Sequence, residues 1–340
     1  EVGELPQPDP PLDELTIDDL PDDIEQAVRA AGWTSLMPVQ QKAIPYMLAG
    51  RDIIVQSRTG SGKTGAFLLP LFQILNPKQK EQQVLILTPT RELARQVFEE
   101  FERMKIATPR TNDLDAVLIY GGVGYGPQIE ALENGAQLVV GTPGRVLDLL
   151  NKKKFDASNI HALILDEADE MLSMGFYPDM MEIRDFLPED RQSYMFSATM
   201  PAKVRTVARD FLDDPGFLSL SSERVSVEEM KYRYYLVPPM QKDSTLHRLI
   251  ELEEPESSII FCNTKREVSY VTQFLNNSGF EAEEMSGDLS QNAREEAIDR
   301  LRDGNTRFLV ATDVAARGID VTELSHVFIY DVPQDREYLI

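Results

Sequence analysis

The sequence predicts an α/β protein made of two parallel, doubly wound halves. Three observations carry this reading. Short apolar runs rich in Val, Ile and Leu recur along the chain. Amphipathic stretches with helical spacing lie between them. The pattern lapses once, over the polar stretch 221–229, and then resumes. Strands buried on both faces read as unbroken apolar runs, and β/α alternation implies a parallel sheet with crossover helices. A length of 340 residues favours two domains over one.

Taken in order, residues 1–15 form an acidic, proline-rich tail. Residues 1–23 carry nine acids and no base, so the first dozen positions are expected to be disordered. The first domain is placed at 16–220, with strands at 53–55, 84–87, 116–120, 138–140, 162–165, 194–196 and 217–220. Helices are expected over 65–75, 91–105, 127–134 and 170–174. The linker is placed at 221–229 and the second domain at 230–340, with strands at 232–237, 259–262, 282–285, 308–311 and 327–330. The halves share no sequence repeat, so only the architecture repeats.

The composition, 42% hydrophobic and 27% charged, is that of a globular protein. A single cysteine, Cys262, excludes an intrachain disulfide and fits a reducing cytoplasm. No apolar run approaches the ~20 residues that span a bilayer. The acidic N-terminal stretch argues against a signal peptide. The 57 acids against 34 bases leave a net charge of -23, opposite to the usual nucleic-acid binder. Any grip on a polyanion must come from a local basic stripe and backbone amides.

The run Ser57-Arg58-Thr59-Gly60-Ser61-Gly62-Lys63-Thr64 follows the strand at 53–55 and opens a helix. A glycine-rich turn there points backbone N–H groups at an anion. Ser57, Thr59, Gly60, Ser61 and Gly62 would line a nucleotide's phosphates, and Lys63 would reach the β- and γ-phosphates. The Thr64 hydroxyl would bind Mg2+. The general pattern wants glycine where Ser57 stands. Asp166 and Glu167 follow the strand at 162–165. Beside a phosphate loop, Asp166 reads as a second Mg2+ ligand and Glu167 as the base or positioner for the attacking water. The competing explanation is a carboxylate pair capping the helix at 170–174.

Asp166-Glu167-Ala168-Asp169 resembles the signature of the DEAD-box RNA helicases of superfamily 2, and nearly the whole family series follows in order. Pro89-Thr90-Arg91-Glu92-Leu93-Ala94, Gly121-Gly122, Thr142-Pro143-Gly144-Arg145 and Ser197-Ala198-Thr199 match its first-half motifs. Ile260-Phe261-Cys262-Asn263-Thr264, the pair Gln291 and Arg294, and Ala311-Thr312-Asp313 through Asp320 match its second-half motifs. Gly32 through Gln40 is similar to its adenine-reading motif, although Leu36 and Met37 stand where proline and threonine are usual.

The resemblance implies two RecA-like domains, ATP and Mg2+ as cofactors, and RNA as the partner, held largely without regard to sequence. Gln40 would read adenine, and Asp320 would touch the ATP ribose. Arg91, Gly122, Thr142 and Arg145 would hold the RNA backbone from the first domain, and Thr264, Gln291, Arg294 and Thr312 from the second. Phosphate contacts carry no base information, and contacts to 2′-hydroxyls select RNA. Asp169, Ser197 and Thr199 would link the two sites. The family's His-Arg-x-Gly-Arg motif is expected beyond Ile340, so the second domain is expected to be incomplete here.

The implied activity is ATP-driven domain closure that unwinds short RNA duplexes or remodels RNA–protein complexes. An ATP-gated RNA clamp without turnover is the alternative, and multiple-turnover strand release separates the two. A DNA-directed motor is a third reading, tested by competition between ribose and deoxyribose strands.

Overall fold

The computed structural model describes residues 6–30, 32–58, 60–105, 109–220, 231, 233–285, 291–312 and 324–332. The chain divides into two units, Glu1–Val225 and Ser226–Ile340.

The first unit contains strands β1 (Ile53–Gln56), β2 (Val84–Leu87), β3 (Ala116–Ile119), β4 (Leu138–Gly141), β5 (Ala162–Leu165), β6 (Gln192–Ser197) and β7 (Gly216–Ser219). They form one sheet in the order β3-β4-β2-β5-β6-β1-β7. All six neighbouring pairs are parallel. Its helices are α1 (Asp22–Ala30), α2 (Pro38–Leu48), α3 (Lys63–Ile74), α4 (Arg91–Lys105), α5 (Pro109–Asn112), α6 (Gly126–Glu133), α7 (Pro143–Asn151), α8 (Ala168–Ser173), α9 (Tyr177–Phe186) and α10 (Ala202–Phe211).

Alternate residues of each central strand enter opposite cores. Ile53, Val55, Val84, Ile86 and Ile164 pack on one side. Ile54, Leu85, Leu87, Leu163 and Leu165 pack on the other. This two-sided burial is why the strands read as continuous apolar runs. Helix α4 buries Leu93, Ala94, Val97, Phe101 and Met104 along one face and leaves its charges outside. Phe101 stacks on Phe72 of α3 at 5.5 Å between centroids, which fixes α3 and α4 over the sheet.

In a parallel sheet all carboxyl ends share one edge, where ligands bind. Gln56 pairs with Ser197 at the ends of β1 and β6, and Leu87 pairs with Leu165 at the ends of β2 and β5. Ser57, Asp166 and the residues after Ser197 therefore leave the sheet on the same side.

The second unit contains β8 (Ser258–Cys262), β9 (Ala282–Met285), β10 (Phe308–Thr312) and β11 (His326–Ile329), in the parallel order β11-β8-β10-β9. Its helices are α11 (Lys242–Glu253), α12 (Lys265–Asn277) and α13 (Gln291–Arg302).

Two expectations change. The stretch 233–237 forms no strand, and Tyr234 and Leu236 are 89% and 95% exposed. This apolar run has no neighbouring strand to pair with among the described residues, and Tyr232 lies outside them. The acidic N-terminal stretch, expected to be disordered, is held from Pro6 onward. Phe217 N–H donates to Pro6 O at 2.8 Å. The Arg51 guanidinium donates to Asp9 O and Pro10 O at 2.8 and 2.7 Å. Backbone carbonyls, which composition does not register, anchor this segment. The linker expected at 221–229 lies outside the described residues.

Candidate functional site

Gly60 and Gly62 have φ of +73° and +88°, the left-handed region that glycine adopts without strain. Gly62 is the N-cap of α3, so the first amides of that helix face the loop without intrahelical acceptors. The Ser57 hydroxyl donates to Ser61 Oγ at 2.6 Å, and Ser61 Oγ donates to Arg58 O at 2.7 Å. Serine in place of glycine thus ties the two ends of the loop together. Thr64 lies in the first turn of α3, and Thr59 lies outside the described residues.

Lys63 is 6% exposed, and its Nζ has no hydrogen-bond partner among the described residues. A buried ammonium without hydrogen bonds is costly. Asp166, at the end of β5, is 2% exposed. Burial raises its pKa, and the Lys63 charge opposes that rise. Glu167 is raised to about 7, first by burial and then by the Asp166 carboxylate. Its backbone is left-handed at φ +50°, a strained conformation for this residue. Glu167, the N-cap of α8, makes no side-chain capping bond, whereas Asp166 Oδ1 accepts from Glu167 N–H at 3.0 Å at the start of that helix.

Gln40 is 2% exposed on the first turn of α2. Its Oε1 accepts from Met37 N–H at 2.8 Å, and its Nε2 donates to Gly62 O at 3.1 Å. An amide has two donors and two acceptor lone pairs, so one of each remains.

Asp169 Oδ2 accepts from the backbone N–H and the hydroxyl of Thr199. Asp169 N–H donates to Ser197 Oγ at 3.3 Å, and Ser197 Oγ donates to Thr199 O at 2.8 Å. The three residues expected to couple the sites form one hydrogen-bonded knot.

The first-unit residues expected on RNA also converge. Thr90 Oγ1 accepts from Leu93 N–H at 3.2 Å, fixing the start of α4 and hence Arg91. A Cβ at Gly122 would sit 2.4 Å from Arg91 Nη1, the end of a side chain that can shift, so it is the φ of +87° that calls for glycine there. Arg145 Nη2 donates to Val123 O at 3.1 Å. Thr142, the N-cap of α7, donates its N–H to Ile119 O at 3.0 Å.

In the second unit, Thr264 is the N-cap of α12. Its hydroxyl donates to Glu267 Oε2 at 2.8 Å and accepts from Glu267 N–H at 3.2 Å. That hydroxyl is engaged in a capping box. Thr312 ends β10, opposite Cys262. Gln291 and Arg294 lie on α13, and their side chains lie outside the described residues, as does Asp320.

Sequence reasoning missed Tyr125, Asp148 and Lys152. They gather around Arg145, and the only signal was the spacing 145, 148, 152 along one helix face.

A family model described as DEAD/DEAH box helicase matches residues 37–207, and one described as helicase conserved C-terminal domain matches 241–340. The chain is 42% identical over 314 residues to the ATP-dependent RNA helicase DeaD of Escherichia coli K12, covering 92% of this chain and 49% of that protein. It is 42% identical over 316 residues to the RNA helicase CrhR of Synechocystis, covering 93% and 63%. The chain thus spans about half the length of the first of these relatives. Among solved structures, it resembles S. cerevisiae Dbp5 bound to RNA and ADP BeF3, with a TM-score of 0.82 and 33% identity over 94% of this chain and 81% of that one. It also resembles a DEAD box protein from Methanococcus jannaschii, with a TM-score of 0.59 and 37% identity over 96% and 88%.

Proposed function

The chain belongs to the DEAD/DEAH box helicase family, and from that premise we propose that it is part of a cytoplasmic ATP-dependent RNA helicase, which unwinds short duplexes or remodels RNA–protein complexes. One observation carries the nucleotide reading. Lys63 holds a buried Nζ without a hydrogen-bond partner among the described residues at a glycine-capped helix start, and Asp166 feels its charge. A phosphate would supply the missing acceptor.

Thr64 and Asp166 would hold Mg2+ together with phosphate oxygens and water, since this ion needs only one or two protein oxygens in such sites. Bound there, the ion would neutralise charge on the phosphates. Its charge would also favour ionised Asp166 and Glu167, returning Glu167 to the form that orients and deprotonates water. Ser57, Thr59, Gly60, Ser61 and Gly62 would line the phosphates, Gln40 the base and Asp320 the ribose.

RNA would lie along Arg91, Gly122, Thr142 and Arg145, with Thr264, Gln291, Arg294 and Thr312 continuing the track from the second unit. Most of these offer hydroxyls and amides, which suits an acidic protein. The knot of Asp169, Ser197 and Thr199 would pass the state of the nucleotide to that track.

Release of a short RNA strand under multiple turnover, by the full-length protein with ATP, tests this reading. Catalytic strand release is expected. Retention of RNA without release would instead mark an ATP-gated clamp.

A further inference from the structure

We propose that Tyr125 is a positioning residue: its ring holds the Arg145 guanidinium against the Gly121-Gly122-Val123 loop, so that both are set in advance to receive an RNA phosphate. This rests on the RNA reading of Arg145 above.

The Arg145 guanidinium carbon lies 4.1 Å from the Tyr125 ring centroid, within cation–π range. The same guanidinium donates to Val123 O at 3.1 Å. Arg145 is therefore fixed between a ring and a loop carbonyl, beside the glycine against which Arg91 packs.

The ring is itself held. The Tyr125 hydroxyl donates to Asp148 Oδ2 at 2.7 Å and accepts from Lys152 Nζ at 2.9 Å. Lys152 and Asp148 are paired at 2.9 Å. The Tyr125 hydrogen bond is the first cause both of the lowered Asp148 pKa and of the raised Lys152 pKa. Arg145 and Asp148 of α7 and its C-cap Lys152 follow one helix face, so a single helix and its cap grip the tyrosine at its ring and at its hydroxyl.

Core packing does not explain the residue. Tyr125 is 37% exposed and belongs to no buried cluster. A free arginine side chain must be ordered when it binds a phosphate, and an arginine already held by a ring loses less freedom at that moment. The expected consequence is tighter RNA binding without a direct contact between Tyr125 and RNA.

The test is single-stranded RNA affinity of the full-length protein with a non-hydrolysable ATP analogue. The variants are Tyr125→Ala, Tyr125→Leu, Tyr125→Phe, Arg145→Ala and Tyr125→Ala/Arg145→Ala. Melting temperature reports folding, and the leucine variant keeps the apolar bulk should the alanine variant unfold. Tyr125→Ala and Tyr125→Leu are expected to weaken RNA binding by about five- to tenfold. Tyr125→Phe keeps the ring and should stay within about twofold of wild type. In the Arg145→Ala background, losing Tyr125 should add nothing, because the two act as a unit.

An undiminished RNA affinity in Tyr125→Ala, with Arg145→Ala weakened, would overturn the positioning role and leave the RNA track intact. Additive losses would overturn it too, by giving Tyr125 an independent effect. No loss in Arg145→Ala would overturn the RNA reading of Arg145, and the proposal with it.

Discussion

Thr199 gives a single oxygen of Asp169, Oδ2, two hydrogen bonds: one from its backbone N–H at 2.9 Å and one from its hydroxyl at 2.8 Å. The bonds tie the segment after β6 to the first turn of α8, and β6 lies between the strands that carry the phosphate loop and Asp166. On the proposed reading, a carboxylate held this way would link movement at the nucleotide to movement of the loop after Ser197.

Replacing Thr199 by Val keeps the volume and the backbone bond and removes the hydroxyl donor. A hydrogen bond to a charged group contributes about 1.5–3 kcal/mol, so RNA stimulation of ATP turnover should fall by about tenfold or more. ATP affinity measured without RNA should stay within about twofold of wild type, because Thr199 does not line the phosphate loop. Loss of nucleotide affinity together with stimulation would place Thr199 in the nucleotide site instead.

Gln40 has one amide hydrogen and one oxygen lone pair left after its bonds to Gly62 and Met37. Adenine presents an acceptor beside a donor, whereas guanine presents two acceptors. ATP should therefore bind more tightly than GTP, by a margin that Gln40→Ala erases. Equal affinity of the wild type for both nucleotides would refute this.

The Glu167 carboxyl keeps its proton up to about pH 7 in the folded protein, against an ordinary 4.5. Between those values the folded state binds more protons than the unfolded chain, so this group's contribution to stability falls as pH rises. Burial gives Asp166 the same sign. Melting temperatures of wild type and Glu167→Gln should diverge between about pH 5 and about pH 8, with wild type losing more. Parallel curves would mean that Glu167 ionises normally in the fold.

In the first unit, the residues expected on RNA include two cations, Arg91 and Arg145. Each neutralised phosphate of a single strand contributes about -0.7 to the slope of log affinity against log salt. A shallow slope is expected, equivalent to few neutralised phosphates. A slope implying roughly ten would require a basic surface elsewhere in the full-length protein.

The sheet of the first unit was legible because two-sided burial leaves runs such as Val84–Leu87 with no polar residue. The phosphate loop and the Asp166-Glu167 pair were legible because their chemistry depends on local order. The stretch 233–237 misled because Tyr234-Tyr235-Leu236-Val237 reads as an apolar run, yet no strand pairs with it among the described residues. The anchoring of Pro6 and Asp9 was hidden because it runs through backbone carbonyls, to partners as distant as Arg51 and Phe217. Tyr125 was hidden because only the tertiary fold brings it to Arg145, Asp148 and Lys152.

The most direct measurement is steady-state ATP hydrolysis by the full-length protein, with and without single-stranded RNA, for wild type and Glu167→Gln. RNA should raise wild-type turnover. The variant should bind an ATP analogue normally, while its turnover falls by about 10²–10⁴-fold, the usual loss with a general base. Near-normal hydrolysis by Glu167→Gln, or wild-type turnover indifferent to RNA, would contradict the assignment of this site as an RNA-stimulated ATPase.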